Sequence, residues 1–327
     1  MSERSARIGL PIPFGWYCVG YGDELAAGQV QPLRYFGEDL VLYRSTDGVA
    51  ALASAFCPHL GANLGHGGRV DDTGLRCPFH GWCFGPDGAA VEIPYASKIP
   101  PRAARAGCLR HYPVVERSEF LFAWYHPDGA APSFELAPFE ELESGRWTPC
   151  QRRRWEIRTH VQETGENAVD TAHFAVVHNT GGIETTTEVT FEGPRRTSVI
   201  HVGHQRVDVE GAIAEKDTDT VLGAIHSVSV GPGQSWARNF GIDLLMIGLA
   251  TPIEVDRLDL RFACSVPLDK AEEHAAITDL ILANAFEQIE QDIPIWEQKR
   301  YEARPILCDG DGAIGRYRKW FQQFYVE

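Results

Sequence analysis

The sequence predicts an α+β protein with two domains: a small all-β domain, then a larger domain in which helices wrap an antiparallel sheet. Three observations predict this. The first two fifths of the chain alternate short apolar runs with turns rich in Gly and Asp. The remainder combines β-like runs with two stretches of helical periodicity. A segment rich in Ala, Pro and Glu separates them, which predicts domains at residues 1–134 and 135–327.

The strands of the first domain are predicted where apolar and β-branched residues run between turn signals. Phe120–Tyr125 is the strongest of these runs. Asp–Gly combinations at residues 71–74 and 86–88 predict hairpin turns. Further strands are predicted at residues 31–36, 40–43 and 50–56.

The second domain is predicted to begin with a helix over residues 161–178 and to end with a long helix over residues 270–300. Between them, residues 186–266 contain strand-like runs at 197–202, 224–230 and 258–265. The long helix keeps an apolar face, and Pro294 is expected to bend or end its last turns. The residues of that face are Ile277, Ile281, Ala285, Ile289, Ile293 and Trp296.

Charge and composition exclude several classes of protein. A formal net charge of −15 disfavours nucleic acid as a partner, because phosphates require a basic surface. No apolar run approaches the roughly 20 residues that a membrane helix needs. The first residues lack the apolar segment of a signal peptide, so we expect a cytoplasmic protein without a membrane span. The eight cysteines of such a protein are expected to bind metal or to be buried, not to form disulfides.

Two short loops in the first domain each combine a cysteine with a histidine. They contain Cys57 and His59 in one loop and Cys77 and His80 in the other. A Rieske [2Fe–2S] cluster needs two thiolates on one iron and two imidazoles on the other, which two such loops can supply. The alternative is a Cys₂His₂ zinc site, but zinc fingers usually place both cysteines before both histidines.

A second group of metal-ligand residues lies in the predicted helix of the second domain. Asp170, His173 and His178 fall within nine positions of one another. Two histidines and one carboxylate can hold iron and leave coordination positions open for O₂. Asp170 is one candidate for the carboxylate because it lies three residues before His173, on the same face of a helix. An acid from elsewhere in the chain is the other candidate.

The two cysteine loops, CPHLGANLGHGGRV and LRCPFHGW, resemble the Rieske domain of ring-hydroxylating and related oxygenases. They are less similar to respiratory-chain Rieske proteins, which carry an extra disulfide pair where this chain has Ala62 and Phe79. The resemblance implies an oxygenase-type [2Fe–2S] cluster. It also implies a helix-grip-like catalytic domain after the Rieske domain.

The stretch from Asn167 to His178 resembles the iron motif of the same family. The resemblance implies that His173 and His178 bind a mononuclear Fe(II) and that the third ligand comes from a late helix, at Asp292. It further implies that Asn167 lies beside the ligands. Asp170 is then the bridge that passes electrons to the iron from the cluster of a neighbouring subunit.

The position of Asp292 agrees in part with helical geometry. It lies three residues after Ile289 and four before Trp296, so it shares their inward face. The nearest substitutes for it as an iron ligand are Glu287 and Glu290.

The C-terminal sequence QDIPIWEQKRYEARPILCDGDGAIGRYRKWFQQFY resembles one branch of the family, the bacterial 3-ketosteroid 9α-hydroxylase oxygenases and the animal cholesterol 7-desaturases. Unlike the animal enzymes, this chain is expected to have no N-terminal membrane segment. The branch implies a terminal oxygenase that uses O₂ and NAD(P)H-derived electrons to hydroxylate or desaturate a hydrophobic, steroid- or sterol-like substrate. It also implies a ferredoxin or flavin reductase as electron donor and a homotrimer as the assembly.

Two alternatives remain at this point. One is a Rieske hydroxylase for aromatic rings or other small molecules. The other is a Rieske electron carrier, which Asp170, His173 and His178 disfavour because a carrier needs no second iron site.

Two further groups of charged residues are weaker signals. Lys98, Arg102 and Arg105 form a basic patch that is either a solvated surface or a dock for an acidic electron donor. Residues 309–312, Asp-Gly-Asp-Gly, lack the later Gly and Glu of an EF-hand and are expected to form a turn.

Overall fold

The computed structural model describes residues 7–178, 188–207, 213–273 and 275–326. The chain forms two compact units, Trp16–Ser133 and Met1–Gly15 with Phe134–Glu327. Residues 7–15 fall within the predicted first domain, whereas in the structure they group with the second unit. The backbone N–H of Phe14 donates to the carbonyl oxygen of Phe324 at 2.8 Å, which ties this segment to the C-terminal end of the chain.

The unit Trp16–Ser133 contains three antiparallel sheets. Their orders are β1-β11-β10, β2-β3-β4-β9 and β5-β6-β7-β8, with strands numbered in chain order. The strands are β1 (Gly15–Tyr21), β2 (Val30–Tyr35), β3 (Glu38–Arg44), β4 (Ala50–Ser54), β5 (Arg69–Asp71), β6 (Gly74–Arg76), β7 (Cys83–Phe84), β8 (Ala90–Glu92), β9 (His111–Tyr112), β10 (Val114–Arg117) and β11 (Phe120–Tyr125).

The predicted strands and hairpins of this unit are confirmed. Phe120–Tyr125 is a strand over its whole predicted length and is buried throughout. The predicted turn at 71–74 joins β5 to β6, and the one at 86–88 joins β7 to β8. One apolar cluster of buried residues connects the sheets to the cysteine loops, and it includes Val41, Cys57, Leu64, Leu75, Cys77, Trp82 and Phe84.

The second unit is built on a seven-stranded antiparallel sheet of order β12-β18-β17-β16-β15-β14-β13. Its strands are β12 (Gln151–Ile157), β13 (Glu188–Glu192), β14 (Arg195–Val207), β15 (Ile213–Val230), β16 (Gln234–Asn239), β17 (Leu244–Glu254) and β18 (Arg257–Ser265). Its helices are α1 (Glu140–Glu143), α2 (Val161–Glu166), α3 (Ala172–Val177), α4 (Leu268–Glu273), α5 (Ala275–Gln298) and α6 (Ile314–Phe321). The predicted α+β class is confirmed. The predicted sheet begins at residue 186, which lies outside the described residues.

The predicted single helix over residues 161–178 is wrong, because the structure has two short helices, α2 and α3, with a break between them. Asp170 lies in this break, and its Oδ1 accepts a hydrogen bond from the backbone N–H of Ala172 at 3.1 Å. A side chain that bonds the backbone in this way competes with helical hydrogen bonding and favours a helix start. Asp170 and His173 are therefore close neighbours at a helix start and not two residues on one continuous helix.

The long helix α5 packs its apolar face against the sheet. Leu282, Ala285 and Phe286 of α5 form a buried cluster with residues of β18 that include Phe262. The helix continues four residues beyond Pro294 to Gln298, so of the two expected effects of the proline, a bend or an end, the helix does not show the end. The side chain of Ile277 lies outside the described residues.

The acidic turn near the C-terminus and the absence of a membrane helix among the described residues agree with the sequence. Residues 309–312 lie in a turn, where the carboxylate of Asp311 accepts from the backbone N–H of Cys308 at 2.6 Å. Among the helices that the structure describes, none is both long enough and apolar enough to cross a membrane.

Candidate metal centres

The two cysteine loops of the first unit have the same backbone frame. Gly61 donates its N–H to the carbonyl oxygen of Cys57 at 2.9 Å, and Gly81 donates to Cys77 at 3.1 Å. Both glycines have positive φ values, +76° and +72°, in the region where a side chain is strained. The glycines therefore close each loop and keep its cysteine and histidine together.

A second pair of hydrogen bonds completes this likeness. The N–H of Cys57 donates to the carbonyl oxygen of Ala62 at 2.9 Å, and that of Cys77 donates to Trp82 at 2.8 Å. Both cysteines are buried and free. The two loops thus present their thiols from equivalent turns, although the histidine comes two residues after the first cysteine and three after the second.

The imidazoles of the two loops lie next to each other in an aromatic setting. The rings of His59 and His80 are 4.9 Å apart at an angle of 74°. Trp82 stacks on His59 at 4.7 Å and donates its indole N–H to the hydroxyl oxygen of Tyr95 at 2.8 Å. The stack and the hydrogen bond restrict the orientation of His59.

These residues fit a [2Fe–2S] cluster. In the described part of the chain, the buried Nδ1 of His80 has no hydrogen-bond partner, which is unfavourable unless a metal takes its lone pair. Burial raises the pKa of the Cys57 thiol to about 11, and the neighbouring Cys77 acts in the same direction. A metal ion would supply the positive charge that two adjacent buried thiolates need.

The second unit brings together His173, His178 and Asp292. One ligand atom from each lies within 4.8 Å of the other two. The closest pair is His178 Nε2 and Asp292 Oδ1, at 3.4 Å, and the two imidazole rings are 5.2 Å apart. Their side chains are 13%, 2% and 9% exposed in the order given. Two imidazoles and one carboxylate at this spacing could hold a divalent metal ion.

Neighbouring side chains hold two of these three residues in place. Asn167 donates its amide N–H to Oδ2 of Asp292 at 3.0 Å, and Trp296 donates its indole N–H to Oδ1 of Asn167 at 3.2 Å. His178 Nδ1 lies 2.9 Å from Oε1 of Gln291. Burial alone would lower the pKa of His178, but the hydrogen bonds with Asp292 and Gln291 outweigh burial and raise it.

Asp170 lies beside His173, one of the three residues of this group. Its Oδ2 lies 3.7 Å from Nδ1 of His173, too long for a hydrogen bond but close enough for an electrostatic contact. Burial would raise the pKa of Asp170, but the His173 imidazole and the backbone N–H of Ala172 together lower it. Glu287 and Glu290, the substitutes considered for Asp292, are exposed on the other side of α5.

A cavity of about 240 Å³ opens onto His173, His178 and Asp292. Its wall is mostly apolar, as in small-molecule sites, whose volumes start near 300 Å³. The apolar wall includes Ile200, Ile225, Trp236, Met246, Ala250, Leu260, Phe262, Ala285 and Ile289.

Several polar residues around this centre were not predicted from the sequence. Arg196, Ser227 and Ser229 line the cavity, and Gln291 contacts His178 from outside the predicted motif. Arg196 and Ser198, and likewise Ser227 and Ser229, are spaced by two along a strand. That spacing shows that each pair shares a face of the sheet, but not that the face is buried.

A Rieske-type cysteine and histidine motif in an all-β unit, followed by a group of two histidines and one carboxylate, defines a Rieske non-heme iron oxygenase. Residues 15–113 match the Rieske [2Fe-2S] domain family, and residues 123–325 match the family described as the 3-ketosteroid 9alpha-hydroxylase C-terminal domain. The second match spans more than half of the chain. This protein therefore belongs to the 3-ketosteroid 9α-hydroxylase family of Rieske oxygenases, which are oxidoreductases.

Curated relatives agree with this assignment over almost the whole chain. A cholesterol 7-desaturase from Caenorhabditis elegans is 31% identical, over 97% of this chain and 77% of the relative. A probable 3-ketosteroid-9-alpha-monooxygenase oxygenase component from Rhodococcus rhodochrous is 33% identical, over 99% of this chain and 81% of the relative.

Solved structures support the fold alone. The crystal structure of dicamba monooxygenase bound to dicamba aligns with a TM-score of 0.74 and 18% identity, covering 95% of this chain and 96% of the other.

The family matches and the curated relatives confirm the predicted family, the enzyme class and the presence of a Rieske [2Fe–2S] domain. The individual metal ligands, the trimer and the cytoplasmic location stay predictions.

Proposed function

We propose that this protein is the terminal oxygenase of a multicomponent system that uses O₂ and NAD(P)H-derived electrons to hydroxylate or desaturate a steroid- or sterol-like substrate. The observation that carries the proposal is the apolar cavity that opens onto His173, His178 and Asp292. The names of the relatives, a cholesterol desaturase and a ketosteroid monooxygenase, supply the substrate class.

The first step of the proposal concerns electron entry. Cys57 and Cys77 would bind one iron of a [2Fe–2S] cluster, and His59 and His80 would bind the other. Leu60 and Phe79, next to the two histidines, are 66% and 64% exposed, so an electron donor can approach this end of the unit. The exposed basic patch of Lys98, Arg102 and Arg105 is the proposed dock for an acidic ferredoxin or flavin reductase.

The second step concerns the metal in the second unit. His173, His178 and Asp292 would bind Fe(II), and three protein ligands leave positions open for O₂. Iron held in this way supplies the activation of O₂. The chain contributes orientation: Asn167 fixes the carboxylate of Asp292, and Gln291 fixes the ring of His178.

The third step concerns the substrate. Apolar side chains on both sides of the cavity, among them Met246, Phe262 and Ile289, would contact a hydrophobic skeleton and exclude water. Excluding water keeps the reaction on the bound substrate and strengthens the electrostatic interactions around it.

The assembly that we propose is a cytoplasmic homotrimer. In a head-to-tail ring, the cluster of one subunit would serve the iron of the next, and rotational symmetry closes such a ring. Asp170 would lie at this junction, between His173 of its own subunit and His80 of the neighbouring subunit.

The main alternative is a Rieske hydroxylase that acts on an aromatic or other small molecule. The cavity volume of about 240 Å³ favours this alternative, because it is smaller than the usual volume of a ligand pocket. A Rieske electron carrier is less favoured, because a carrier has no need of the His173, His178 and Asp292 group.

Product analysis separates these functions. The purified protein would be incubated with a surrogate reductase, NADH and a panel of steroids, sterols and small aromatic acids. Formation of a hydroxylated or dehydrogenated steroid, with matching O₂ uptake, is expected. Turnover of a small aromatic acid without any response to steroids would instead identify the alternative hydroxylase. Cluster reduction without turnover of any compound would indicate a carrier.

A further inference from the structure

The cavity contains one buried positive charge that the proposed reaction does not use. Arg196, on β14, lines the cavity and has no exposed surface. Burying a charged side chain is costly unless it is paired or fully hydrogen-bonded. The neighbours of Arg196 therefore indicate whether its role is structural or is to bind a ligand.

Within the described residues, the side-chain partners of Arg196 are neutral hydroxyl groups. Its Nη1 donates to Ser198 at 2.7 Å and to Ser227 at 2.8 Å, and its Nε and Nη2 donate to Ser229 at 3.2 and 2.8 Å. Strand pairing creates this group, because Arg196 lies opposite Ser229 and Ser198 lies opposite Ser227 in the β14–β15 register.

No carboxylate balances this charge within the part of the chain that the structure describes. Burial lowers the pKa of Arg196 to about 10, which still leaves the guanidinium charged at neutral pH. Its Nη2 carries two hydrogens and, among the residues described, has one acceptor, Ser229. The group thus has an uncompensated positive charge and spare donor capacity at the wall of a cavity.

The position of Arg196 also relates it to the metal centre. Its Nη1 lies 3.4 Å from the carbonyl oxygen of Ala168. The preceding residue, Asn167, donates to Asp292. The same short segment therefore contacts the proposed iron ligand and the buried guanidinium, and both residues belong to the lining of the same cavity.

We propose that Arg196, supported by Ser227 and Ser229, is the anchor that binds a carboxylate on an otherwise apolar substrate. A carboxylate would neutralise the buried charge and accept the remaining N–H, since guanidinium and carboxylate groups pair through charge-assisted hydrogen bonds. A ketone would accept a hydrogen bond but leave the charge uncompensated. This inference rests on the proposed function and narrows its substrate to an apolar acid.

The test is a comparison of matched acids and methyl esters by isothermal titration calorimetry with the iron-loaded protein under anaerobic conditions. Two skeletons would be used, a steroid and a single-ring hydrocarbon. The acid is expected to bind more tightly than its ester by about tenfold to a hundredfold, the usual range for charge-assisted hydrogen bonds. Arg196→Met should remove this preference, whereas Arg196→Lys should keep part of it.

A matched control removes a positive charge elsewhere in the same unit. Arg316 is exposed and outside the cavity wall, and its Nη2 donates to the carbonyl oxygen of Val189. Arg316→Met should retain the full preference for the acid. If Arg196→Met does not fold, Ser229→Ala provides the second test, because it leaves the charge, frees two N–H groups for a carboxylate and should strengthen the preference for the acid severalfold.

The outcomes separate this inference from the proposed function. Absence of an acid-over-ester preference on both skeletons in the wild-type protein would overturn the anchor. A preference that survives unchanged in Arg196→Met would overturn it as well. Binding of neither steroid form, with a clear acid preference on the single-ring skeleton, would refute the steroid substrate and retain the anchor.

Discussion

Asn167 donates a hydrogen bond from Nδ2 to Oδ2 of Asp292 at 3.0 Å, across 125 positions of the chain. Its own Oδ1 accepts from the indole N–H of Trp296 at 3.2 Å, one turn further along α5. A single amide thus connects the end of α2 to two successive turns of α5. The second oxygen of Asp292 remains directed at His178, 3.4 Å away.

Replacing Asn167 with Ala is expected to weaken Fe(II) binding by about 10- to 100-fold, the usual effect of losing a partner that orients a metal ligand. The [2Fe–2S] cluster should be unaffected, because no residue of the cysteine loops changes. Anaerobic titration with Fe(II) measures the first effect and the EPR signal of the reduced cluster measures the second. Asn284→Ala, at an exposed position of α5, is the control. Unchanged Fe(II) affinity in Asn167→Ala would contradict the orienting role.

The proposed iron ligands can be tested by removing them individually. His173→Ala and Asp292→Ala should each lose the mononuclear iron and turnover while keeping the cluster, because each removes one of three protein ligands. Glu287→Gln and Glu290→Gln are matched controls, since both acids lie on α5 and are exposed. Iron analysis together with product yield decides the result. If Asp292→Ala keeps full iron and activity while one of the glutamate variants loses them, the third ligand has been assigned to the wrong acid.

The cluster assignment makes a spectroscopic prediction. His80→Cys should alter or abolish the Rieske-type EPR signal, because it replaces a neutral imidazole with a thiolate on the histidine-bound iron. His66→Gln, at an exposed histidine in the same unit, should leave the signal unchanged. Stoichiometric zinc without acid-labile sulfide in anaerobically purified protein would show that these residues bind zinc instead.

How much the sequence could predict depends on whether the signal is local. Each cysteine loop has its cysteine and histidine within a single turn, so the spacing alone indicates a metal site. The pairs are Cys57 with His59 and Cys77 with His80. Phe120–Tyr125 was predictable for the same reason, since a continuous apolar run of six residues favours a buried strand. Asp292 lies far along the chain from its histidines, and only the family resemblance indicated it.

Two other features were not predicted from the sequence, one for a local reason and one for a tertiary reason. The break between α2 and α3 arises where Asp170 bonds the backbone N–H of Ala172, in a stretch whose apolar spacing is helical. Arg196 was overlooked because a charged residue on a strand usually faces solvent, and its burial results from the register of β14 against β15.

The stability of the second unit is expected to fall at mildly acidic pH because of His160. Burial lowers its folded-state pKa from 6.5 to about 4. Between these pH values the unfolded chain binds a proton that the native state does not bind. The free energy of unfolding is therefore unaffected by this group above pH 6.5 and decreases as the pH falls towards 4. Through this one group, the free energy of unfolding can fall by at most about 3 kcal/mol.

Urea unfolding at several pH values between 7 and 5 measures this effect. His160→Gln should reduce the dependence of the unfolding free energy on pH, because the amide does not titrate. It should also lower stability at pH 7, since His160 Nδ1 accepts from the backbone of Gln162 at 3.1 Å and Nε2 contacts the carbonyl oxygen of Pro11 at 3.0 Å. His226→Gln, at an exposed histidine of the same unit, is the control. An equal pH dependence in wild type and His160→Gln would exclude His160 as the cause.

Asp170 is the residue proposed to pass electrons between subunits. Its Oδ2 lies 3.7 Å from His173 Nδ1, and its other oxygen bonds the N–H of Ala172, so both oxygens have defined roles at the start of α3. Asp170→Asn keeps the size and an oxygen that can accept from Ala172, but it removes the negative charge beside His173. We therefore expect a folded protein with both metal centres, a reducible cluster and much slower electron transfer to the iron.

A single-turnover experiment with pre-reduced protein and substrate tests this expectation, since it needs no electron donor. The Asp170→Asn protein should give little product while its cluster remains reduced, whereas wild type should oxidise the cluster as product forms. Asp279→Asn, at an exposed acid of α5, should behave as wild type. Because the bridge joins two subunits, size-exclusion chromatography with light scattering should show a trimer in both variants. Unchanged product yield and rate in Asp170→Asn, or full activity in a strictly monomeric protein, would refute the bridge.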